Sequence, residues 1–391
     1  MNIPKIRFKG FEDTWKNDKI GNIGSILMCK RIFKSQTTSI GDIPFYKIGT
    51  FGSTADAFIS ENLFNEYKTR FSYPQYGDIL LSAAGTIGRI VEYKGEKAYF
   101  QDSNIVWVKV NGKIKNQFLK YIYSCIKWNG LEGSTIKRLY NNNILETAIN
   151  YPSPEEQQKI ASYFQSLDSL IQITSKKLAS LKQIKAASLQ SMFPQEGETV
   201  PKVRFKGFKE GWEKEKLGNL FKERIENNIN GELLSVTINN GIIKASDNGR
   251  FDNSNNDKSH YKVVKIGDIV YNTMRMWQGA SGYSAYEGIV SPAYTVIIPQ
   301  EQVFPLFFAY LFKTQSLINR FRIHSQGLTT DTWNLKFAGF SIIEVCFPKS
   351  KLEQQKIASY FCNLDKQISL QTQRLEKLKQ IKAACLDKMF V

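Results

Sequence analysis

The chain has 391 residues, 42% of them apolar and 13% aromatic, which is the composition of an ordered globular protein with room for two or three cores and excludes a disordered tail. Its 53 basic against 36 acidic side chains leave a net charge of +17, pointing to a polyanion, either nucleic acid or an acidic membrane surface. Five cysteines without a C-x-x-C pair, beside only two histidines (His260 and His324) in polar stretches without ligand spacing, argue against a zinc site and for reduced thiols in a cytoplasm. No apolar signal core opens the sequence, and its longest apolar stretch, FPLFFAYLF from Phe304, is too short to cross a bilayer. A soluble, cytoplasmic chain without a membrane partner is expected.

In chain order, residues 4–11 read PKIRFKGF, with Trp15 following. From about residue 21 to 152 the pattern is mixed α/β. A Gly-Asp turn enters a strand (YGDIL, 76–80), a Gly-rich stretch follows, IVWVKV from Ile105 reads as a buried strand, and NQFLKYIYSCIKW reads as a helix. A polar loop, a short strand and a Pro close this segment. Residues 155–193 form an uninterrupted helical pattern. At residue 201 the opening string returns as PKVRFKGF, and the 20-residue stretches that begin the two copies share 11 positions, including Trp15 with Trp212. A second α/β segment, 218–349, has the same outline with a different sequence: IGDIV at 266–270, YTVIIP from Tyr294, and the helical pattern FPLFFAYLFKTQSLINRF. Residues 353–390 then repeat EQQKIASYF and LKQIKAA of residues 156–193, again 197 positions on. The chain is two half-molecules of one plan, with near-identical frames around divergent α/β domains.

Along the first long helix, Phe164, Leu167, Ile171, Thr174, Leu178, Leu181, Lys185, Ser188 and Met192 recur at steps of three and four, and Phe361, Leu364, Ile368, Gln371, Leu375, Leu378, Lys382, Cys385 and Met389 repeat them. Each helix therefore carries one stripe, with Thr174 and Gln371 as polar breaks. A 39-residue helix spans about 58 Å, which suits pairing with its twin. Connectivity makes the pair an antiparallel coiled coil, holds the two α/β domains apart and brings the chain termini together. The expected division is residues 1–152 (anchor and first domain), 153–194 (spacer helix), 195–349 (anchor and second domain) and 350–391 (second spacer helix). Within the spacer, Leu167, Ile171, Leu178, Leu181, Leu364, Ile368, Leu375 and Leu378 are the expected packing residues. The two octapeptides, nearly unchanged beside differing domains, are expected to anchor each domain to a helix end rather than to read bases.

P-x-[IV]-R-F-x-G-F with its Trp, the block G-D-[IL]-L-x-S-x-x-G-x-[IV]-G at Gly77–Gly88, and P-x-x-E-Q-x-x-I before a long helix together resemble the specificity subunit of type I restriction-modification enzymes. The resemblance covers almost the whole chain, with every part in the same order. It implies that each α/β segment is a target-recognition domain reading one half of a split, asymmetric site in double-stranded DNA. It also implies that the paired helices set the spacing and dock two methyltransferase subunits, and that restriction/translocase subunits join the assembly. The chain itself would be non-catalytic and hold no cofactor, with S-adenosylmethionine, ATP and Mg used by its partners. Readers about 58 Å apart would address half-sites separated by at least about one helical turn of roughly 34–36 Å. The second Gly-rich block, GDIVYNTMRMWQGASG, departs from the small-residue form of the first, so base contacts do not transfer between halves position by position.

Bases are read by Arg and Lys on guanine, by Asn and Gln on adenine and by hydroxyls on either, whereas phosphates accept from any donor. Candidates in the first domain are Lys30, Arg31, Lys34, Ser82, Thr86, Arg89, Lys137 and Arg138. Those in the second are Asn239, Asn240, Asn272, Thr273, Arg275, Gln278, Thr329 and Thr330. For any one of them a solvated loop side chain or a phosphate contact is the better reading, the loops as groups being the stronger candidates, and Trp277 could stack on a base or pack in a core. Two other readings compete. Asp78 with Glu92-Tyr93-Lys94 imitates the D…E-x-K set of a Mg²⁺ nuclease, although Asp78 sits in a Gly-Asp turn shared with Asp268 and the second copy has no such Lys. A helical scaffold indifferent to DNA is the other. No G-x-x-x-x-G-K-[ST] phosphate loop and no N-P-P-[FY] or D-P-P-Y amine-methylation motif occurs.

Overall fold

The computed structural model describes residues 3–128, 138–238, 240–248 and 257–391. It forms two compact units: Met1–Ser175 with Gln373–Val391, and Lys176–Thr372. Each unit holds one mixed α/β domain and takes part of both long helices, which run Pro154–Ser191 and Lys351–Met389.

In the first unit a four-stranded antiparallel sheet has the spatial order Gly24–Met28, Ile105–Val110, Ile79–Ser82, Ile90–Glu92. Side chains alternate across a strand, and the two central strands are apolar on both faces. Ile79, Leu81, Val106 and Val108 pack with helix Asn116–Cys125 and the long helices, whereas Leu80, Ile105 and Trp107 join a second core under Phe45, Phe64 and Tyr99. In that second core, burial pushes the Cys29 thiol up to about 12.

The second unit repeats this arrangement with Phe221–Glu223, Tyr294–Pro299, Ile269–Asn272 and Ser281–Tyr283. Ile269, Tyr271 and Ile297 face the helices, and Val270 and Val296 face a core under the hairpin Leu234–Thr237/Gly241–Lys244. The single helical run expected from Phe304 onward is instead two helices, Pro305–Leu311 and Gln315–Ile323. Between them Lys313 N–H still bonds the Tyr310 carbonyl, but the Thr314 hydroxyl donates to the Leu311 carbonyl, and Thr314 itself is extended at φ −71° and ψ 144°.

The frame is the same in both units, at 197-residue spacing. The long helices start on Ser153 and Ser350, whose hydroxyls accept from the amides of Glu156 and Glu353, a standard N-cap. The carboxylates of those glutamates, 1% exposed, receive a bidentate guanidinium from the octapeptides. Arg7 Nε and Nη2 lie 2.7 and 2.8 Å from Glu156, and Arg204 Nε and Nη2 lie 2.6 and 2.8 Å from Glu353. Next to them the wholly buried Gln157 and Gln354 each bridge three backbone groups of their own domain. Phe8 packs edge-on to Tyr163 and Phe205 to Tyr360. Finally, Ile6 N–H donates to the Lys388 carbonyl, as Val203 N–H does to that of Ser191. The octapeptide thus clips the start of one long helix to the end of the other.

Within each unit the helices pair antiparallel. Tyr163 meets Cys385 and Asp168 meets Lys382 in the first, while Lys185 meets Asp365 and Ser188 meets Tyr360 in the second. Leu167, Leu178, Leu181, Leu364 and Leu375 are buried and Ile171, Ile368 and Leu378 half-buried, with Thr174 and Gln371 also turned inward. Breaking one partner of a buried ion pair costs about 3–5 kcal/mol, whereas replacing both with apolar groups is often neutral. Arg204→Met should therefore destabilise the second unit by that amount in denaturant unfolding, and Arg204→Met with Glu353→Leu should recover most of the loss.

Candidate nucleic-acid interface

In the second unit, strand Ile269–Asn272 ends in a turn that runs through the short helix Met276–Gln278 to Gly279, whose φ of +82° is the left-handed region open to glycine. The chain returns as Ser281–Tyr283, and Gly282 lies against Gly241 of the hairpin so closely that a Cβ on it would sit 2.9 Å from the Gly241 Cα. Two backbone segments thus meet without side chains between them. Beside that seam opens a cleft of about 480 Å³ lined by Asn240, Asn272, Arg275 and Gln278, with Ser235, Thr237 and Tyr294. Four of the expected contact residues, one from the hairpin and three from the turn, share this one concavity. Three carboxamides and a guanidinium are the donor and acceptor set that reads adenine and guanine edges.

Thr273 is buried, and its hydroxyl donates to the Ala293 carbonyl, so it shapes the turn. Thr329 and Thr330 are exposed on a loop closed by Gln326 and Asn334. That loop reaches the turn through Leu335 N–H to the Thr273 carbonyl and through Trp333, edge-on to Trp277 at 5.2 Å. Trp277 is half-buried there, with its indole N–H on the Met274 carbonyl. Asn239 lies outside the described residues.

In the first unit the Gly-rich loop is pinned from within. Ser82 is 1% exposed, donates to the Thr86 carbonyl at 2.6 Å and accepts from Arg89 N–H at 2.8 Å. Its hydroxyl is used up by the loop and positions Thr86, which is exposed. The Arg89 guanidinium donates to the Phe51 carbonyl. Arg31 and Arg138 converge on residues 102–104, Arg31 through Asp102 at 2.9 Å and Arg138 through Asn104 at 2.9 Å. Between these arginine partners Ser103 adopts φ +53°, a strained conformation for a residue with a Cβ. A cleft of about 350 Å³ opens beside it, lined by Arg138, Tyr140, Asn141 and Asn142. Arg138 stacks over Tyr140 at 5.9 Å. Lys30 lies over Phe71 and Lys34 is exposed at a short helical turn. Lys137 lies outside the described residues. Tyr140, Asn141 and Asn142 line this cleft but were not among the residues singled out from the sequence, although a run of three asparagines begins at position 141.

The nuclease reading is overturned. Asp78 accepts from Gln75 N–H and from the Asn116 carboxamide, Glu92 pairs with Lys120 at 3.0 Å, and exposed Lys94 extends from the turn that Glu96 closes. Asp268 caps its own turn in the same way, accepting from Lys265 N–H while it pairs with Arg224. The Gly-Asp carboxylates are turn caps. Among the described residues no group of three His, Cys, Asp or Glu could hold a metal ion, and no helix is long and apolar enough to cross a membrane.

The family model "Type I restriction modification DNA specificity domain" matches residues 12–183 and again 209–380, at the internal repeat spacing. A protein of Haemophilus influenzae assigned as a type I restriction enzyme specificity subunit, S.HindORF215P, is 52% identical over 153 residues, 39% of this chain and 40% of that one. The type I restriction enzyme MjaIX specificity subunit of Methanocaldococcus jannaschii is 27% identical over 209 residues, 49% of this chain and 45% of that one. The matched stretches thus span less than half the length of either relative. The crystal structure of a type I restriction-modification system S subunit from M. genitalium shares the fold, with a TM-score of 0.65 at 15% identity over 100% of this chain and 99% of that one. With both halves matched, the chain belongs to the type I restriction-modification DNA specificity family.

Proposed function

We propose that this chain is the DNA-reading, non-catalytic subunit of a type I restriction-modification complex, each α/β domain reading one half of an asymmetric bipartite site. The observation that carries this reading is the contrast between a frame repeated at matching positions 197 residues apart and two polar clefts built from different side chains. One assembly using one frame to present two different readers has that form. The residue ranges 21–152 and 218–349 are the proposed target-recognition domains, and the long helices set the number of base pairs between half-sites. Two methyltransferase subunits dock on those helices, and restriction/translocase subunits join them. These partners bring S-adenosylmethionine, ATP and Mg. A repeated docking face is supported by apolar side chains left exposed at matching positions: Ile173 at 62% with Leu370 at 61%, and Ile184 at 46% with Ile381 at 37%.

In the second cleft Arg275 and Gln278 are the proposed base readers, with Thr273 holding their turn, and in the first Arg138 and Asn142, beside the Gly-rich loop that Ser82 holds. Lys30, Lys34 and Arg89 are assigned to phosphate.

Exchanging residues 21–152 for another recognition domain should change one half-site and leave the other intact, as read by mapping methylated adenines in a genome carrying the complex. A change in both halves would refute the modular reading. Arg275→Ala should relax one position of the second half-site by about 1–3 kcal/mol of discrimination, again visible in the methylation consensus. Inserting equal numbers of residues into both long helices should lengthen the gap between half-sites, and an unchanged gap would refute their role as a ruler.

A further inference from the structure

Lys313 occupies the break between the two helices that follow strand Tyr294–Pro299, and its ammonium is spent entirely on backbone. Its Nζ donates to the carbonyls of Gly279 at 2.5 Å, Ser281 at 2.8 Å and Ile238 at 3.1 Å. An ammonium has three donors, so all three are satisfied. Gly279 and Ser281 flank Ala280 in the wall of the second cleft, and Ile238 stands at the tip of the hairpin forming the opposite wall. The side chain therefore ties both walls together from behind.

Two further features mark this as a built arrangement. The lysine stem packs against the Gly279 turn, its Cδ 3.7 Å from where a Cβ would stand, at ordinary van der Waals distance. Tyr310, three residues earlier, donates to Asp365 of the long helix, and Lys185 of the other long helix salt-bridges the same carboxylate. Burial pulls the Lys313 ammonium down to about 8, with Lys185 adding to the shift and Asp365 opposing it. The buried charge is thus retained at a cost that the three carbonyls must offset.

Among the described residues the first domain shows no equivalent. Tyr121 makes the matching bond to Asp168, but three residues later stands Ser124, whose hydroxyl returns to its own helix at the Lys120 carbonyl. Its Gly-rich loop is backed instead by Trp128, 3.3 Å from where a Cβ on Gly88 would lie.

We propose that Lys313 is a positioning residue for sequence recognition: it fixes the separation of the two walls that present Asn240, Asn272, Arg275 and Gln278, and so sets base selectivity in the second half-site alone. This rests on the assignment of that cleft as a base reader.

The test uses the full chain assembled with its methyltransferase subunit and maps methylated adenines. In Lys313→Met, which keeps the stem and removes the donors, preference for the correct base should fall about tenfold at one or more positions of the second half-site, with the first half-site unchanged. Lys313→Gln, retaining two N–H donors, should fall between Met and wild type. An unchanged second half-site in Lys313→Met, or equal relaxation of both halves, would overturn the proposal. Should Lys313→Met unfold its domain by circular dichroism, Lys313→Gln decides, and either a wild-type consensus or loss of fold there also overturns it. If wild type itself yields no bipartite consensus, the base-reader assignment fails instead of the role of Lys313.

Discussion

The structure depends on one ionic clip made twice. A guanidinium from the octapeptide meets a glutamate in the first turn of a long helix, Arg7 on Glu156 and Arg204 on Glu353, with the carboxylate almost wholly removed from water. A buried pair of this kind adds little net stability compared with apolar packing, but it tolerates few alternative geometries, because a misplaced partner leaves a charge unpaired in a low dielectric. Its value here is register. It sets where the octapeptide lies along the helix, and through Gln157 and Gln354 the same helical turns hold the loops that precede each domain helix. From that point outward everything else is placed by packing.

What packs above the clip differs between the domains, and the sheets show how the difference is contained. Both central strand pairs are apolar on both faces, with the helix-facing set in one core and the opposite set in another. The helix-facing side meets the invariant frame, and Tyr121 and Tyr310 reach equivalent aspartates there. The far side supports the divergent elements, a helix-covered core in one unit and a hairpin in the other. The sheet can therefore carry different elements on one face while the other continues to fit the frame.

Much of this was legible in the sequence because it rests on local periodicity. Strands IVWVKV and YTVIIP, the two long helices and their inward stripes are carried by spacings of two and of three or four, which need no knowledge of the fold. The octapeptide's anchoring role was legible from its repetition beside differing neighbours. Residue type alone misled where a polar side chain is consumed internally. Ser82 and Thr273 look like loop donors, but each is buried and bonded to its own turn. The clefts were not legible because they assemble residues from separate segments, Asn240 beside Arg275 and Arg138 beside Tyr140. The break at Lys313 was hidden for a similar reason: an apolar helical pattern runs straight through it, and the ladder ends where Thr314 turns extended and its hydroxyl bonds the Leu311 carbonyl.

The clip has a further consequence for how the protein is wired. In the second unit, helix end and octapeptide are joined by residues 194–200, and Ser191 meets Val203 across that short link. In the first unit Lys388 meets Ile6 in the same way, although these residues stand at opposite ends of the sequence. One junction is closed by covalent bonds and its twin by contact alone, yet the geometry is the same. Contact alone therefore holds a helix end to its octapeptide in the first unit in the same way that contact and a short covalent link hold them in the second.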